Sequence, residues 1–560
     1  MKRMRALSLL TAVVVALPVL AVAAEVPEEN FYPTVKQEAG WMGYNSDNSI
    51  AYSLPSSLYA MVHSSRGQMP KNMYLCSSLE TKECTGSEID ALTFTSIFTK
   101  CQSDAETDCI ESFGVKNESG SIDDLATFQR NWVPGPVFKG DKSKFIPTGY
   151  GPNTWTLTNK SGVVETYALS VGVNGYMDLR NGAKKANFES FLATIQPIKE
   201  ITGPEYDVPV ANVTKRGDGY GPGHNTNYIE KGCQIAEKGL CGYRLAFDLE
   251  KIFFLKVRLS QPVQGWLHGR MKDANVVMST AADNSQVVEI SAKPLSIPSV
   301  YGWVKWSELP TALKDLYPVG AGGTTRGYED FTTTDLNSRT LLTKSEVSGD
   351  YAIKEMNLWL PLLNDKAAAM RTFWVAQTIR GELPLESQNC VRGKGFTGVI
   401  GTNAVVYSDG PPKFDKAEQS LNYTVGASHL DSKGELFKGY YQLNLRSDVA
   451  RCLYGFGSAP IQAKIEVSSS DGTPAVATTV INEKDGWLKM TAAGFTFSTP
   501  SIKVKLSQEA PTPEPSATPS PSASAKPAAP KKISITCVKG KTSKKVTAVN
   551  PKCPSGYKKK

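Results

Sequence analysis

Hydrophobic and polar residues alternate along long stretches of this chain, and this alternation limits its fold more than any other feature of the sequence. The pattern holds at residues 167–173, 461–467 and 502–506, and it runs longest from Leu245 to Leu259, where Lys251 interrupts the hydrophobic row. Because successive side chains of a strand point to opposite faces, a period of two is typical of half-buried β-strands. The 560 residues therefore predict a mainly β protein built of several sandwich-like modules.

Local signals add turns and one short helix to this picture. Residues 470–472 (Ser-Asp-Gly) and 484–486 (Lys-Asp-Gly) are typical of β-hairpin turns, since Asp-Gly readily adopts the positive φ angles that such turns need. The segment from Ser307 to Pro318 predicts a helix that Ser307 caps and that ends before the proline, with its apolar face formed by Leu309, Leu313 and Leu316.

Cysteine spacing indicates a disulfide-stapled protein. Three pairs of cysteines are each eight residues apart, and four more cysteines follow at wider spacing. The sequential pairing joins Cys76 with Cys84, Cys101 with Cys109, Cys233 with Cys241, Cys390 with Cys452, and Cys537 with Cys553. A nested pairing of Cys76 with Cys109 and of Cys84 with Cys101 is the alternative. Metal binding is disfavoured, because the chain has no Cys-x-x-Cys motif and its four histidines are scattered singly.

The N-terminus carries the pattern of a secretory signal peptide. Lys2, Arg3 and Arg5 precede an apolar stretch from Ala6 to Val22, and small residues offer a cleavage site near Ala24. No later stretch has 18 consecutive apolar residues, so we expect no transmembrane span in the mature chain. Export also fits an even number of cysteines. The predicted location is extracellular or attached to the cell surface.

Charge is distributed unevenly along the chain. The net charge is +8, of which the first 24 residues hold +3 and residues 511–560 hold +10, so −5 remains for residues 25–510. A mildly acidic body argues against nucleic-acid binding, whereas a strongly basic end predicts attraction to anionic cell-envelope polymers or a lipid surface. The overall composition, 41% hydrophobic and 21% charged, is that of an ordinary globular protein.

Shifts in composition divide the chain into six segments. Residues 509–532 consist almost entirely of Pro, Ser, Ala, Thr and Lys, a composition that predicts a disordered, extended linker. The predicted segments are a signal peptide (1–24), an N-terminal β-rich region (25–203), a central β-rich region (204–385), a β-sandwich module (386–508), the linker (509–532) and a basic tail with two cysteines (533–560).

Three regions of the chain carry a resemblance to known secreted proteins. ITCVKGK at 535–541, with KCPSGYKKK at 552–560, resembles a C-terminal module of secreted proteins from high-GC Gram-positive bacteria, notably aquatic Actinobacteria. Residues 446–455, with 486–488 and 501–506, are similar to a β module that often precedes it. Residues 25–385 resemble other proteins of the same group through 108–112 and 265–270. The resemblance implies a location at the cell surface and no particular activity.

Linear catalytic motifs are absent, so we assign no catalytic, cofactor-binding or metal-binding residues and predict no cofactor. The chain lacks Gly-x-Ser-x-Gly, His-Glu-x-x-His and the phosphate-binding Gly-x-x-x-x-Gly-Lys loop. A fold can still bring two carboxylates together without any linear motif. Asp248 with Glu250, and Glu205 with Asp207, therefore keep a secreted polysaccharide hydrolase as the alternative, although solvated strand faces explain both pairs.

Aromatic residues supply the candidate ligand contacts. Gly-Tyr-Gly-Pro occurs twice, around Tyr150 and Tyr220, and either loop can pack its tyrosine or present it to a ligand. Trp303 and Trp306 are candidates for stacking on sugar rings, with core packing as the alternative. Together these features predict a secreted, envelope-associated protein with a non-catalytic binding, adhesion or structural role, with glycans as further candidate partners.

Overall fold

A computed structural model describes residue 36 and residues 38–46, 55–62, 69–225, 232–283, 285–317, 340–344, 347–379, 389–458, 460–468, 478–497, 501–508 and 532–560. The predicted signal peptide, the predicted turn at 470–472 and almost all of the predicted linker lie outside these described residues. The described chain forms two compact units, one ending at Ser507 and the other running from Gln508 to Lys560. We call the first unit the body and the second the tail.

Strands make up most of both units, which confirms the predicted mainly β fold. The first ten are β1 (Trp41–Ser46), β2 (Ser57–Val62), β3 (Asn72–Leu75), β4 (Ile89–Ile97), β5 (Cys109–Lys116), β6 (Ile122–Leu125), β7 (Thr127–Asn131), β8 (Asn153–Thr158), β9 (Val164–Asp178) and β10 (Asn187–Thr202). The next nine are β11 (Val210–Arg216), β12 (Gly219–Asn225), β13 (Cys233–Glu237), β14 (Leu240–Arg244), β15 (Ile252–Leu259), β16 (Gly265–Thr280), β17 (Gln286–Lys305), β18 (Thr340–Lys344) and β19 (Ala369–Thr378).

The remaining strands belong to the end of the body and to the tail. In the body they are β20 (Phe396–Thr402), β21 (Val406–Tyr407), β22 (Lys413–Asp415), β23 (Ser420–Gly426), β24 (Lys438–Arg446), β25 (Ile461–Ser468), β26 (Thr478–Lys484), β27 (Trp487–Thr496) and β28 (Ser501–Gln508). In the tail they are β29 (Ile533–Lys539), β30 (Thr542–Ala548) and β31 (Lys558–Lys559). Among the described residues, the α-helices include α1 (Thr311–Lys314), α2 (Asp350–Trp359) and α3 (Ser447–Tyr454).

Hydrogen-bonded strands link all parts of the body. Twenty-one of its described strands form one continuous ladder network, in which β1–β18 and β16–β20 are parallel neighbours and most other pairs are antiparallel. β10 pairs with β14 and β19, and β16 pairs with β19 and β20. Strand pairing thus crosses the sequence-based boundaries near residues 203 and 385, and the three predicted regions share one body.

The C-terminal part of the body consists of two packed layers of strands. One layer is the sheet β21-β23-β28-β25, and the other contains β20, β24 and β27. Alternate side chains of both layers, including Tyr423, Val504, Leu443 and Met490, are buried in one hydrophobic core. This inward alternation is what a β-sandwich requires, and it agrees with the sandwich-like architecture that the sequence predicts.

All five disulfides follow the sequential pairing, and the nested alternative is not formed. Each pair brings its Cα atoms to between 5.0 and 6.0 Å. All ten cysteines are paired. Four of the five bridges close loops of 8 or 16 residues, so they staple local elements, while Cys390–Cys452 spans 62 residues.

The prediction of one long strand through Leu245–Leu259 is wrong. A turn interrupts it between β14 and β15, because the Asp248 carboxylate accepts a hydrogen bond from the Glu250 amide at 3.0 Å. Leu249, which the alternation places inside, is exposed at this turn. The alternation resumes only at Ile252, where β15 begins.

The predicted helix near Ser307 is shorter than expected. Residues 306–308 form a single 3-10 turn, and α1 begins only after Pro310, so Ser307 does not cap it. Leu309 and Leu313 are nevertheless buried as the pattern requires. The predicted hairpin turn at 484–486 is confirmed, since Asp485 and Gly486 have φ angles of 53° and 77° and connect β26 to β27.

No described helix combines the length and the apolar composition that crossing a bilayer requires.

Candidate functional site

A cavity of about 400 Å³ opens on the body where three distant chain segments meet. Its lining comes from residues 56–57 with 75–77 and 83, from residues 133–138, and from residues 208–211. Most of the lining is apolar: Leu75, Val133, Val137, Phe138, Val208, Pro209, Val210 and Ala211. This volume lies within the usual range for small-molecule sites, which runs from about 300 to 1,000 Å³.

One wall of the cavity is braced by the loop around Tyr150. The buried Ser56 hydroxyl donates to the Tyr150 carbonyl at 2.6 Å and accepts from the Ile97 amide at 2.9 Å. Gly149 is needed for this packing, because a Cβ atom there would lie 2.3 Å from Cε1 of Phe138. The ring of Phe138 is thereby fixed in the cavity wall.

The β11–β12 hairpin, which carries Tyr220, supplies another wall. The Tyr59 hydroxyl donates to the Asn212 carbonyl at 3.0 Å, and the Tyr220 amide donates to the Pro70 carbonyl at 3.0 Å. Ala211 is buried in a small apolar cluster with Tyr59 and Met73. Burial raises the pKa of Tyr59, so its hydroxyl stays protonated as a donor at neutral pH. These contacts hold the hairpin against β2 and β3.

Neither Tyr150 nor Tyr220 lines the cavity with its own side chain. Their loops instead hold two separate walls in place, which is the packing interpretation of the repeated Gly-Tyr-Gly-Pro element. The lining left no linear signal, because it comes from short, separate segments spread between residues 56 and 211.

Polar groups at the cavity are few. Ser57 and Ser77 contribute hydroxyl groups, and Glu83 contributes the one carboxylate among the described lining residues. Within the part of the chain that the structure describes, Glu83 forms no ion pair. Glu83 lies in the 3-10 turn Lys82–Cys84, which the Cys76–Cys84 disulfide ties to the end of β3.

Trp303 and Trp306 do not form a shared stacking surface. Trp306 packs against the main hydrophobic core. Trp303 lies on the other face of β17, so close to Gly43 of β1 that a Cβ atom on Gly43 would come within 2.7 Å of the Trp303 ring. Tyr301 stands perpendicular to Trp303, with ring centroids 6.2 Å apart, and the Trp303 indole donates to its hydroxyl. Trp303 and Trp306 therefore do not form one flat surface on which a sugar ring could stack.

The two candidate carboxylate pairs lie on exposed segments. Asp248 and Glu250 occupy the turn described above, and Glu250 pairs with Lys293 at 3.2 Å. Glu205 and Asp207 are exposed in the connection between β10 and β11. None of these four carboxylates lines the cavity.

His268 is buried in the body. Its ring stacks on Tyr407 with centroids 3.8 Å apart. Burial, together with the nearby Arg270 guanidinium, lowers the pKa of His268 well below its usual value, so the imidazole is neutral at physiological pH. Arg270 itself donates to the Thr402 and Ala404 carbonyls at 3.2 and 2.6 Å.

The tail is a small three-stranded sheet with β29 in the middle. Residues 532–560 contain nine lysines and no Asp, Glu or Arg, and all nine lysines are exposed. Lys544 and Lys559 lie opposite Cys537 on the two neighbouring strands, so they share one face of the sheet. The folded tail therefore presents a dense array of cations.

Comparisons with known proteins give no match: no family model, no curated protein and no solved structure is similar to this chain.

Proposed function

We propose that this is a secreted protein held at the cell envelope, where it acts as a non-catalytic binding, adhesion or structural protein. In this proposal the tail binds phosphate-bearing or other anionic groups of the envelope, and the body performs the binding or structural role. The observation that carries the proposal is the tail itself, with nine exposed lysines and no acidic side chain in residues 532–560.

Physical arguments support the attachment. Each exposed lysine near an anionic surface contributes about 1 kcal/mol at low ionic strength, and salt reduces this contribution. Because the described tail has no carboxylate side chain, no internal ion pair competes with such a surface. The disulfides in both units are compatible with an oxidising, extracellular environment.

A co-sedimentation experiment tests the proposal. The purified chain is mixed with teichoic-acid-bearing cell walls, with vesicles containing phosphatidylglycerol, or with neutral phosphatidylcholine vesicles. We expect binding to anionic walls or anionic vesicles and none to neutral vesicles, with the stronger arm identifying the source of the anion. Deleting residues 509–560, or raising the salt, should abolish this binding.

Matched variants separate charge from sequence-specific contacts. Replacing Lys558, Lys559 and Lys560 by Gln should weaken binding at low salt by about 100-fold, whereas replacing the same residues by Arg should leave it within about threefold. If the Gln variant binds as well as the parent, or if salt has no effect, electrostatic attachment through the tail is wrong.

A further inference from the structure

The cavity between the Tyr150 loop and the β11–β12 hairpin has features of a ligand site that are independent of the tail. We infer that it binds a small amphiphile, with an alkyl chain or aromatic ring inside the cavity and a cationic head beside Glu83. The inference does not depend on the proposed envelope attachment. The co-sedimentation experiment tests the tail, and the fluorescence experiment described below tests the cavity, so either proposal can fail without the other.

Exposed aliphatic side chains converge on this cavity. Leu75, Val137 and Val210 all line it, and they are 40%, 37% and 55% exposed. Single exposed aliphatic residues are normal on a protein surface, but three around one concave site mark a place where apolar surface is left for another molecule. Below them, the buried Phe138 and Ala211 continue the apolar lining inward.

The walls are held by contacts that need no ligand. The Cys76–Cys84 disulfide holds the wall that carries Glu83, and the two hydrogen bonds of the Ser56 hydroxyl hold the wall beside the Tyr150 loop. The hydrogen bond of the Tyr59 hydroxyl holds the β11–β12 hairpin. A site that is already formed binds its ligand without the entropy cost of ordering it. The Ser56 hydroxyl already donates its proton to the Tyr150 carbonyl, so it does not donate to a ligand in this arrangement.

Charge selects among apolar ligands. Glu83 is exposed, and within the described residues it has no ion-pair partner, so it offers a carboxylate to the head group of a ligand. No arginine or lysine is among the lining residues that belong to the described part of the chain. An ammonium head is therefore favoured over a sulfate or carboxylate head, and the volume limits the apolar part to one chain or one small ring system.

A fluorescence experiment on the full chain tests this. The neutral probe N-phenyl-1-naphthylamine should bind in a saturable manner, and octyltrimethylammonium should displace it at a concentration at least fivefold lower than octyl sulfate does. Glu83→Gln should remove this preference without changing the affinity for the neutral probe. Glu80→Gln, in the same disulfide loop but outside the lining, should keep the preference.

Two matched pairs test the apolar wall. Val210→Gln should weaken probe binding at least fivefold, while Val164→Gln should not, because Val164 is a similarly exposed valine (59%) at the first position of β9 and does not line the cavity. Leu75→Ser compared with Leu436→Ser repeats the test with two exposed leucines, and near-ultraviolet circular dichroism confirms that each variant is folded.

Three results would overturn the inference. The first is the absence of saturable probe binding to the parent chain. The second is an equal effect of the lining and control substitutions in folded proteins. The third is displacement by octyl sulfate as effective as that by octyltrimethylammonium, which would refute the role of Glu83.

Discussion

The body and the tail are both β structures stapled by disulfides, but they are stabilised in different ways. In the body, strands such as β20 are buried along their whole length, and large side chains including Trp359 and Trp374 are fully enclosed. In the tail, Cys537 is the only described residue that is buried, and its strands are otherwise exposed or half-buried. Burial of apolar surface thus stabilises the body, whereas one covalent bridge has to hold the tail.

Breaking the tail disulfide should have the largest effect. Replacing Cys537 and Cys553 together by Ser should unfold the tail completely, because a module of this size without a core depends on its cross-link. Hydrogen–deuterium exchange of peptides from residues 533–548 should rise to the rate of an unfolded chain. All nine tryptophans belong to the body, so tryptophan fluorescence should report an unchanged unfolding transition.

The matched control is the double substitution of Cys76 and Cys84 by Ser. The body should remain folded and lose roughly 2–3 kcal/mol, as expected for a short cross-linked loop, while exchange in the tail stays unchanged. Retained protection of the tail strands after loss of Cys537–Cys553 would show that side-chain packing alone holds the tail.

Isoleucine truncation sharpens the same contrast. Ile400→Ala removes a fully buried side chain of β20 and should lower the free energy of unfolding of the body by about 3 kcal/mol, since such truncations cost 2–5 kcal/mol. Ile533→Ala, in a tail strand and 60% exposed, should cost the tail less than about 0.5 kcal/mol. Denaturant titration measures the first value and exchange protection the second. Similar losses in both units would contradict a core confined to the body.

Asp108 provides the smallest predicted difference between the body and the tail, a pH dependence of stability that only the body should show. Burial raises its pKa to about 6, against the hydrogen bond that its carboxylate accepts from the Ser260 amide at 2.8 Å. In an unfolded chain the pKa is about 3.9, so the folded state holds this proton more tightly. The ionised carboxylate therefore destabilises the body at pH 7, and this cost disappears as the pH falls from 7 to 4.

Asp108→Asn should consequently stabilise the body by about 1–2 kcal/mol at pH 7 and by almost nothing at pH 4, as measured by denaturant unfolding at both values. Asn is suited to the left-handed backbone at this position, where φ is 59°. The tail has no Asp, Glu or His in residues 532–560, so its exchange protection factors should stay constant over this range. A pH-independent gain in the body would refute the assigned pKa.

The sequence predicted what local patterns determine. The mainly β fold, the five sequential disulfides and the 484–486 turn follow from spacing and turn chemistry, and the structure confirms them. The break at Asp248 was missed because a side chain–backbone hydrogen bond can end a strand without disturbing the alternation around it. Helix α2 was missed although Ala352, Ile353, Met356 and Trp359 are buried at helical spacing.

The cavity could not be predicted in the same way. Residues 56, 138 and 210 meet only through strand pairing and hairpin docking over long sequence distances. The aromatic residues that the sequence singled out turned out to hold walls, as with Tyr150 and Tyr220, or to pack on the core, as with Trp306. Strand β30 of the tail was not predicted, because Lys544 and Lys545 interrupt any alternation of hydrophobic and polar residues there.

The order of the disulfides has a consequence for biosynthesis. The cysteines are bonded in consecutive pairs along the chain, so no disulfide loop encloses a cysteine of another pair. When a polypeptide crosses a membrane from its N-terminus, an oxidase that joins cysteines in their order of arrival produces this connectivity directly. Pairing the cysteines in their order along the chain is therefore enough to give the observed disulfides, with no wrong pair to rearrange.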